Sequence, residues 1–259
     1  MMQHEIDVLE SAVRRAGQHA LRLATNGFET HIKKDRSPVT TADLAVNDIL
    51  RDALLSAFPE DGWLSEESQD DLARLEKKRV WVVDPIDGTK YFMRAIPQYS
   101  ISVALVEAQA PVVAVVYNPM RDEMFTAVAG AGTKMNGRRV SVTVSAPGRP
   151  VMLVSPPGFE RGAFRRLEPQ VQCVPMGSIA YTLALVAAGA ADATLNIDGL
   201  NEWDVAAGVL LVREAGGTVV DSAGTALLFN KPKTSLRGIV AASPDRVQDI
   251  LSLASLLSA

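Results

Sequence analysis

The sequence predicts a mixed protein with an α+β first half and an α/β second half. Two segments of helical periodicity, residues 6–23 and 41–58, open the first half, and short apolar runs typical of strands follow them. In the second half such runs alternate with helical segments, which favours an α/β arrangement. A turn-rich stretch separates the two patterns. We therefore place a boundary near residue 147, with one domain at 1–147 and the other at 148–259.

Each element is predicted from a local pattern. Ser68 and Asp71 have the spacing of a capping box that opens a short helix through Leu75. Asn136-Gly137 is a hairpin turn. First-half strands are predicted at 80–83, 100–107, 112–117, 123–128 and 140–144. Second-half strands are predicted at 151–155, 171–174, 193–196, 217–221 and 238–242, with helices at 178–188, 205–215 and 244–257.

Composition excludes several classes of partner. The chain has 259 residues and a formal net charge of −4, so it offers no basic field for nucleic acid. Its one cysteine, Cys173, cannot form an internal disulfide, which favours a reducing cytoplasm. The N-terminal segment is acidic rather than signal-like, and the apolar runs are too short to span a bilayer. We expect a cytoplasmic protein with no direct nucleic-acid or membrane partner.

The segment WVVDPIDGT, residues 81–89, carries the strongest chemical signal. Asp84 and Asp87 follow an apolar run, and Pro85 favours an extended Asp84. Gly88 permits a sharp turn, and Thr89 is predicted to cap a short helix over 90–94. A helix N-terminus suits a phosphate oxygen, and paired carboxylates beside an anion require cations such as Mg²⁺. The segment predicts a site for Mg²⁺ and phosphate.

Three further acidic positions accompany this motif. Glu66 and Glu67 lie in a polar turn, which alone is a weak signal. Asp43 and Asp204 each stand three residues after a candidate N-cap, Thr40 and Asn201, so both also have a structural explanation as capping residues.

Together these positions resemble the inositol monophosphatase superfamily, which includes inositol monophosphatases and 3′(2′),5′-bisphosphate nucleotidases. The resemblance rests on DPIDGT at 84–89, Glu66-Glu67 upstream and WDVAAG at 203–208 downstream, and it covers nearly the whole chain. It implies a layered α-β-α-β-α sandwich of the type shared with fructose-1,6-bisphosphatase, and a homodimer. It also implies two or three Mg²⁺ ions per site, with Li⁺ as an inhibitor. Competing catalytic signatures such as G-x-x-x-x-G-K-[ST] and G-x-S-x-G are absent from the sequence.

The resemblance implies a role for each matching position. Asp43 and Thr89 would orient and deprotonate a metal-bound water, and Glu66, which with water would hold a third ion, joins them as a catalytic residue. The implied metal ligands are Glu66, Asp84, the Ile86 carbonyl, Asp87 and Asp204. The implied substrate-binding residues are Asp87, Gly88, Thr89, Gly177, Ser178, Asn196 and Asp204.

The substrate is a small phosphorylated metabolite whose identity stays open at this level. Inositol 1-phosphate leads, because the second half resembles bacterial inositol monophosphatases. Lys90 and Glu202 favour 3′-phosphoadenosine 5′-phosphate, and Asn196 stands where many inositol monophosphatases carry a glutamate. Broad specificity is a further alternative. A non-catalytic regulatory protein on the same fold is the most distant alternative, because all the implied metal-binding residues are present in the sequence. Lys33 and Lys34 precede Asp43 in a loop that could bring them to the metal site, but they are expected to be solvated.

Overall fold

The computed structural model describes residues 2–143 and 148–257, in which two β-sheets alternate with layers of helices. A 3-10 helix spans Ala73–Glu76. The α-helices are α1 (Gln3–Asn26), α2 (Thr41–Ala57), α3 (Thr89–Phe92), α4 (Pro156–Glu160), α5 (Ile179–Ala187), α6 (Glu202–Glu214) and α7 (Val247–Ser255).

The first sheet is formed by the first half of the chain. A separate antiparallel pair, β1 (Thr30–Ile32) and β2 (Pro38–Thr40), precedes it. In the sheet itself the strands lie in chain order, and only the first two are parallel. They are β3 (Gly62–Ser65), β4 (Arg79–Asp87), β5 (Ser100–Glu107), β6 (Ala110–Asn118), β7 (Glu123–Val128), β8 (Gly132–Met135) and β9 (Arg138–Val140).

The second sheet has the order β11-β10-β12-β14-β13 and mixes parallel and antiparallel pairs. Its strands are β10 (Val151–Val154), β11 (Gln172–Pro175), β12 (Ala193–Asn201), β13 (Thr218–Val220) and β14 (Ser235–Ala242). The chain passes from β10 through α4 to β11 and from β11 through α5 to β12, as the alternating pattern of strands and helices predicts.

The two sheets are separated by α5 and α6, which pack on both of them. Side chains alternate along β4, so Val80 and Val82 face α6, whereas Trp81 and Val83 face α1 and α2. On the far side of the second sheet, α7 covers β12 and β14. The order of layers is therefore α-β-α-β-α, and the predicted fold class is confirmed. Within the described residues, no helix is long and apolar enough to cross a membrane.

Most predicted elements are present, and the exceptions have local causes. The helix predicted to start at Ser68 is wrong: the Ser68 hydroxyl accepts a hydrogen bond from Trp63 Nε1 (3.2 Å), and the helical turn begins only at Ala73. The Asn136-Gly137 turn is confirmed, with φ of 47° and 77°. The strand after it ends at Val140 instead of residue 144, which lies outside the described residues. Strands β1, β2, β3 and β8 and helix α4 were not predicted.

The boundary near residue 147 also lies outside the described residues, so the division into two domains stays a prediction. Its two parts share one core, because the cluster around α6 contains side chains from both sheets.

Candidate active site

A cleft of about 270 Å³ brings together most of the predicted site residues. We call it the carboxylate cleft. Its walls come from both halves of the chain: the start of β2, the ends of β3 and β4, the starts of α3, α4 and α6, and the loop before α5. The predicted residues that line it are Glu66, Asp84, Ile86, Asp87, Gly88, Thr89, Gly177 and Asp204. A larger cavity of about 640 Å³ lies elsewhere, where Glu5 and Asp61 are already paired with Arg79.

The backbone of the 84–89 segment is shaped as its sequence requires. Asp84 pairs with Ser102 and Asp87 with Ser100, so β4 carries one extra residue between them and bulges. Pro85 contributes to this break because it has no N–H to donate. Gly88 then adopts a φ of 95°, and a Cβ there would lie 3.0 Å from the Gln98 carbonyl oxygen. The bulge and the glycine turn present both aspartates to the cleft.

Thr89 does not cap α3, contrary to the prediction. Gly88 is the N-cap, and Thr89 is the first helical residue. The Thr89 hydroxyl lies 3.0 Å from Asp43 Oδ1 and 3.2 Å from the Ile86 carbonyl oxygen, two acceptors for its one proton. The Asp43–Thr89 pair implied by the family resemblance is therefore present as a hydrogen bond.

Asp43 and Asp204 combine a capping role with a place at the site. Asp43 Oδ2 accepts from the Thr40 N–H (2.7 Å) and hydroxyl (2.6 Å), which leaves Oδ1 for Thr89. Asp204 Oδ2 accepts from the Asn201 N–H (2.6 Å) at the start of α6, while the side chain lines the cleft. The structural and functional explanations of these residues are thus compatible.

Burial and mutual repulsion dominate the electrostatics of the cleft. Burial, reinforced by the charge of Glu66 and of the other aspartates, raises the pKa of Asp84 well above its ordinary range. Burial likewise raises the pKa of Asp204, with Asp87 as the largest charge contribution, and raises that of Asp87 to about 7. Burial also raises the pKa of Asp43, against the hydrogen bonds from Thr40 and Thr89. Such a cluster ionises fully only when cations lie between its members.

The donor set fits a hard cation. The ligands available are carboxylate and carbonyl oxygens, which Mg²⁺ prefers, and Asp84 Oδ1 is buried with no hydrogen-bond partner. Among the described residues, no three acidic, histidine or cysteine side chains are already gathered around one point. Two of the carboxylates have protein partners: Asp87 Oδ2 accepts from the Ser178 hydroxyl (2.6 Å), and Glu66 Oε1 accepts from the Lys33 ammonium (2.8 Å).

Lys33 is not solvated, so that expectation is wrong. Its ammonium donates to Glu66 Oε1 (2.8 Å) and to Glu67 Oε1, and only 22% of its side chain is exposed. Burial alone would lower the pKa of Lys33, but the hydrogen bonds and charges of the two glutamates raise it. The lysine supplies one of the positive charges that this part of the cleft requires.

Three residues with predicted substrate roles lie outside the carboxylate cleft. Ser178 is fully buried and serves Asp87 instead. Asn196 borders an adjoining cavity of about 110 Å³, and its Oδ1 accepts from the Asp198 N–H (2.8 Å). Glu202, which favoured a nucleotide substrate, is buried and accepts from the N–H groups of Asn230 and Lys231. Substrate contacts of Ser178 and Asn196 stay predictions, whereas the hydrogen bonds of Glu202 stabilise the loop at 230–231.

The apolar wall of the cleft was not predicted from the sequence. Tyr91, Pro156 and Pro157 line it together with Lys90. Tyr91 follows Thr89 by two residues, and that proximity was the available signal. Nothing local marks the two prolines, because their place depends on the packing of the second half.

Comparison with known proteins narrows the fold class to a family. The sequence profile of the inositol monophosphatase family matches residues 1–256. An inositol-1-monophosphatase of Rhizobium meliloti is 36% identical over 231 residues, which cover 85% of this chain and 86% of that protein. A Xylella fastidiosa protein named Nus factor SuhB is 37% identical over 238 residues, 86% of this chain and 84% of the relative.

A solved structure gives the same result. The crystal structure of extragenic suppressor protein suhB from Bartonella henselae matches with a TM-score of 0.87 at 31% identity, covering 97% of this chain and 98% of that one. The chain belongs to the inositol monophosphatase family.

Proposed function

We propose that this chain is a Mg²⁺-dependent phosphomonoesterase acting on small phosphorylated metabolites, with inositol 1-phosphate as the lead substrate. Family membership supports phosphatase chemistry. The observation that carries the proposal is the buried carboxylate cluster beside the Asp43–Thr89 hydrogen bond. When bound, Mg²⁺ supplies charge neutralisation and polarises the phosphoryl group.

Different residues of the chain have different roles in the proposed reaction. Glu66, Asp84, the Ile86 carbonyl, Asp87 and Asp204 would hold the cations. The backbone at Gly88 and Thr89 holds the phosphate. The Thr89 hydroxyl orients the attacking water and passes a proton to Asp43, whose raised pKa makes it a better acceptor than an exposed aspartate. In-line displacement then needs no protein nucleophile, because phosphoryl transfer depends on positioning and charge neutralisation.

The test replaces Asp84 by Asn. Asp84→Asn removes a shared metal ligand but keeps the side-chain volume, so we expect Mg²⁺-dependent phosphate release to be abolished. The fold should survive, because the change relieves repulsion between buried carboxylates. Asp52→Asn makes the same chemical change on the exposed face of α2 and should behave as wild type. Near-normal Mg²⁺-dependent activity of Asp84→Asn would refute the assignment.

The substrate and the inhibitor are tested in one assay. Inositol 1-phosphate and 3′-phosphoadenosine 5′-phosphate are compared side by side with Mg²⁺, with and without Li⁺. Family resemblance leads us to expect Li⁺ inhibition and a homodimer, which light scattering would detect. Insensitivity to high Li⁺ would contradict that part of the analogy.

A non-catalytic role is the second candidate. It is favoured by the name Nus factor SuhB, which several relatives carry. Wild-type protein that binds Mg²⁺ yet releases phosphate from no small ester would support a binding protein of the transcription machinery over an enzyme.

A further inference from the structure

Arg74 lies in the 3-10 helix of the first half and is buried, with only 1% of its side chain exposed. Its guanidinium pairs with Asp70, four residues earlier: Nη2 donates to Oδ2 at 2.7 Å and Nε to Oδ1 at 3.1 Å. The start of the side chain packs closely on β3, since a Cβ on Gly62 would lie 3.1 Å from Arg74 Cβ. Arg74 is therefore fixed against the strand that ends just before Glu66.

The remaining donors of this guanidinium contact the second half of the chain. Nη1 donates to Asn230 Oδ1 at 2.6 Å, and Nη2 donates to the Lys231 carbonyl oxygen at 2.9 Å. The planar fork of an arginine fixes the direction of its hydrogen bonds as well as their length. Arg74 therefore holds the loop at 230–231 in one orientation relative to the first sheet.

The same two loop residues also bind the start of α6. The N–H groups of Asn230 and Lys231 donate to the two carboxylate oxygens of Glu202, at 2.6 and 3.0 Å. Glu202 is the first residue of α6 and is fully buried, and its own N–H donates to the Thr234 carbonyl oxygen at 2.9 Å. The loop at 230–234 is thus bound to Arg74 and to the first turn of α6 at once.

Asp204 belongs to that first turn, so its position depends on how the turn is held. Its Oδ2 accepts from the Asn201 N–H at 2.6 Å, which ties the carboxylate to the beginning of the helix while it lines the carboxylate cleft. Asp204 follows Glu202 by two residues in a continuous helix, so a displacement of Glu202 displaces Asp204 as well.

The proposed metal ligands of the cleft come from different halves of the chain: Glu66 follows β3, and Asp204 lies on α6. Mg²⁺ requires near-ideal octahedral geometry, so ligands on separate elements must be held in register by groups outside the site. We propose that Arg74 is a positioning residue which, through the 230–234 loop and Glu202, holds Asp204 at the place that cation binding requires. This inference rests on the proposed function and extends its metal site beyond the cleft.

The experiment titrates each variant with Mg²⁺ by calorimetry, at a temperature where urea unfolding shows the protein to be folded. Arg74→Met keeps an unbranched side chain and removes the guanidinium. We expect the Kd for Mg²⁺ to rise about tenfold, the usual effect of removing a group that orients a metal ligand from outside the site. The urea midpoint should fall as well, because Asp70 and the Asn230 side chain lose their partner.

Arg79→Met is the matched control. Arg79 also belongs to the first half, and it donates to Glu5 and to Asp61, each at 2.8 Å, in a cavity away from the cleft. Its removal should lower the urea midpoint too, yet leave the Kd for Mg²⁺ within about twofold of wild type, as expected for a distant, independent site. If Arg74 served stability alone, Arg74→Met would give this same result.

Asn230→Gly tests the path without removing a buried charge. Asn230 has a φ of 56°, a left-handed conformation that glycine adopts freely, so the loop should keep its shape while the contact with Arg74 Nη1 is lost. We expect the Kd for Mg²⁺ to rise about threefold, the size of one hydrogen bond.

A double variant tests whether Arg74 acts through Asp204. Asp204→Asn removes the ligand that Arg74 is proposed to position. Adding Arg74→Met to Asp204→Asn should therefore change the remaining Mg²⁺ affinity by less than about twofold, because the two changes act on the same interaction.

The outcomes separate this inference from the proposed function. A wild type that binds no Mg²⁺ contradicts the proposed function itself. A wild type that binds Mg²⁺, with a Kd for Arg74→Met no higher than that of Arg79→Met, overturns the positioning role and leaves the metal site in place. An effect of Arg74→Met that persists undiminished in Asp204→Asn also overturns it, since the arginine would then act on another ligand. If Arg74→Met does not fold, a wild-type Kd for Asn230→Gly overturns the positioning role.

Discussion

The Thr89 hydroxyl connects Asp43 to the 84–89 segment, because it lies within hydrogen-bond distance of Asp43 Oδ1 and of the Ile86 carbonyl oxygen. Thr89→Val keeps the shape and removes the hydroxyl. We expect kcat to fall at least about a hundredfold, the usual contribution of a positioned proton-transfer group, while the Mg²⁺ dependence stays similar. Thr89→Ser should retain most activity. A Thr89→Val enzyme within about threefold of wild type would show that proton transfer takes another route.

Lys33 competes with any approaching cation for the carboxylate of Glu66. Lys33→Met removes an ammonium from a partly exposed pair of glutamates, so we expect Mg²⁺ to bind about two- to fivefold more tightly, as the loss of a half-screened ion pair allows. Calorimetric titration with Mg²⁺ measures this directly. Lys34→Met, in the same loop but exposed, is the matched control. Weaker Mg²⁺ binding by Lys33→Met would mean that the lysine assists the metal site.

At the scale of elements, α6 both carries Asp204 and anchors a distant loop. Glu202, its first residue, is fully buried and accepts from the N–H groups of Asn230 (2.6 Å) and Lys231 (3.0 Å). In Glu202→Gln an amide N–H₂ faces one of these donors. We expect a loss of about 1–3 kcal/mol in the free energy of unfolding, measured with urea. Substrate preference should not change; an altered preference at unchanged stability would place Glu202 at the substrate.

Elements were predictable where the pattern is local. The capping pairs of α2 and α6 and the Asn136-Gly137 turn depend on residues a few positions apart, and the structure contains all three. Ser68 and Thr89 failed as caps because other side chains engage their hydroxyls: Trp63 across a turn engages that of Ser68, and Asp43 on another helix engages that of Thr89. Lys33 was misjudged for the same reason: the carboxylates that bury it lie more than thirty residues away.

At the scale of the whole molecule, periodicity predicted the two halves but not the layering. Helix α6 has no exposed residue and nine of its 13 residues are buried, because it lies between two sheets, so it has no solvent-facing side to reveal its orientation. Its close contact with α5 depends on Gly208, where a Cβ would lie 2.5 Å from Leu183. The order of layers was expected from family resemblance alone, because short motifs of special chemistry identify a fold that hydrophobic patterns leave ambiguous.

In the metal-free molecule the aspartates of the carboxylate cleft should stabilise the fold less as the pH rises. Burial and neighbouring charges raise the pKa of Asp87 from 3.8 to about 7 in the folded state. Between these two values the folded state holds the Asp87 proton more tightly than the unfolded chain does, so the contribution of Asp87 to stability is complete below about pH 4 and is lost as the pH rises to about 7. Asp84 and Asp204 act in the same direction.

Bound Mg²⁺ removes this loss, because it replaces the protons as the partner of the ionised carboxylates. We expect the rise in Tm on replacing EDTA by Mg²⁺ to be larger at pH 7.5 than at pH 5, by at least about 2 °C, the shift that 1 kcal/mol gives a chain of this size. Asp87→Asn lacks one titrating group, so the Mg²⁺-induced rises in Tm at pH 7.5 and at pH 5 should differ less than in the wild type. Equal Mg²⁺-induced shifts at both pH values would mean that the carboxylates do not repel one another in the folded protein, and that the cation has another site.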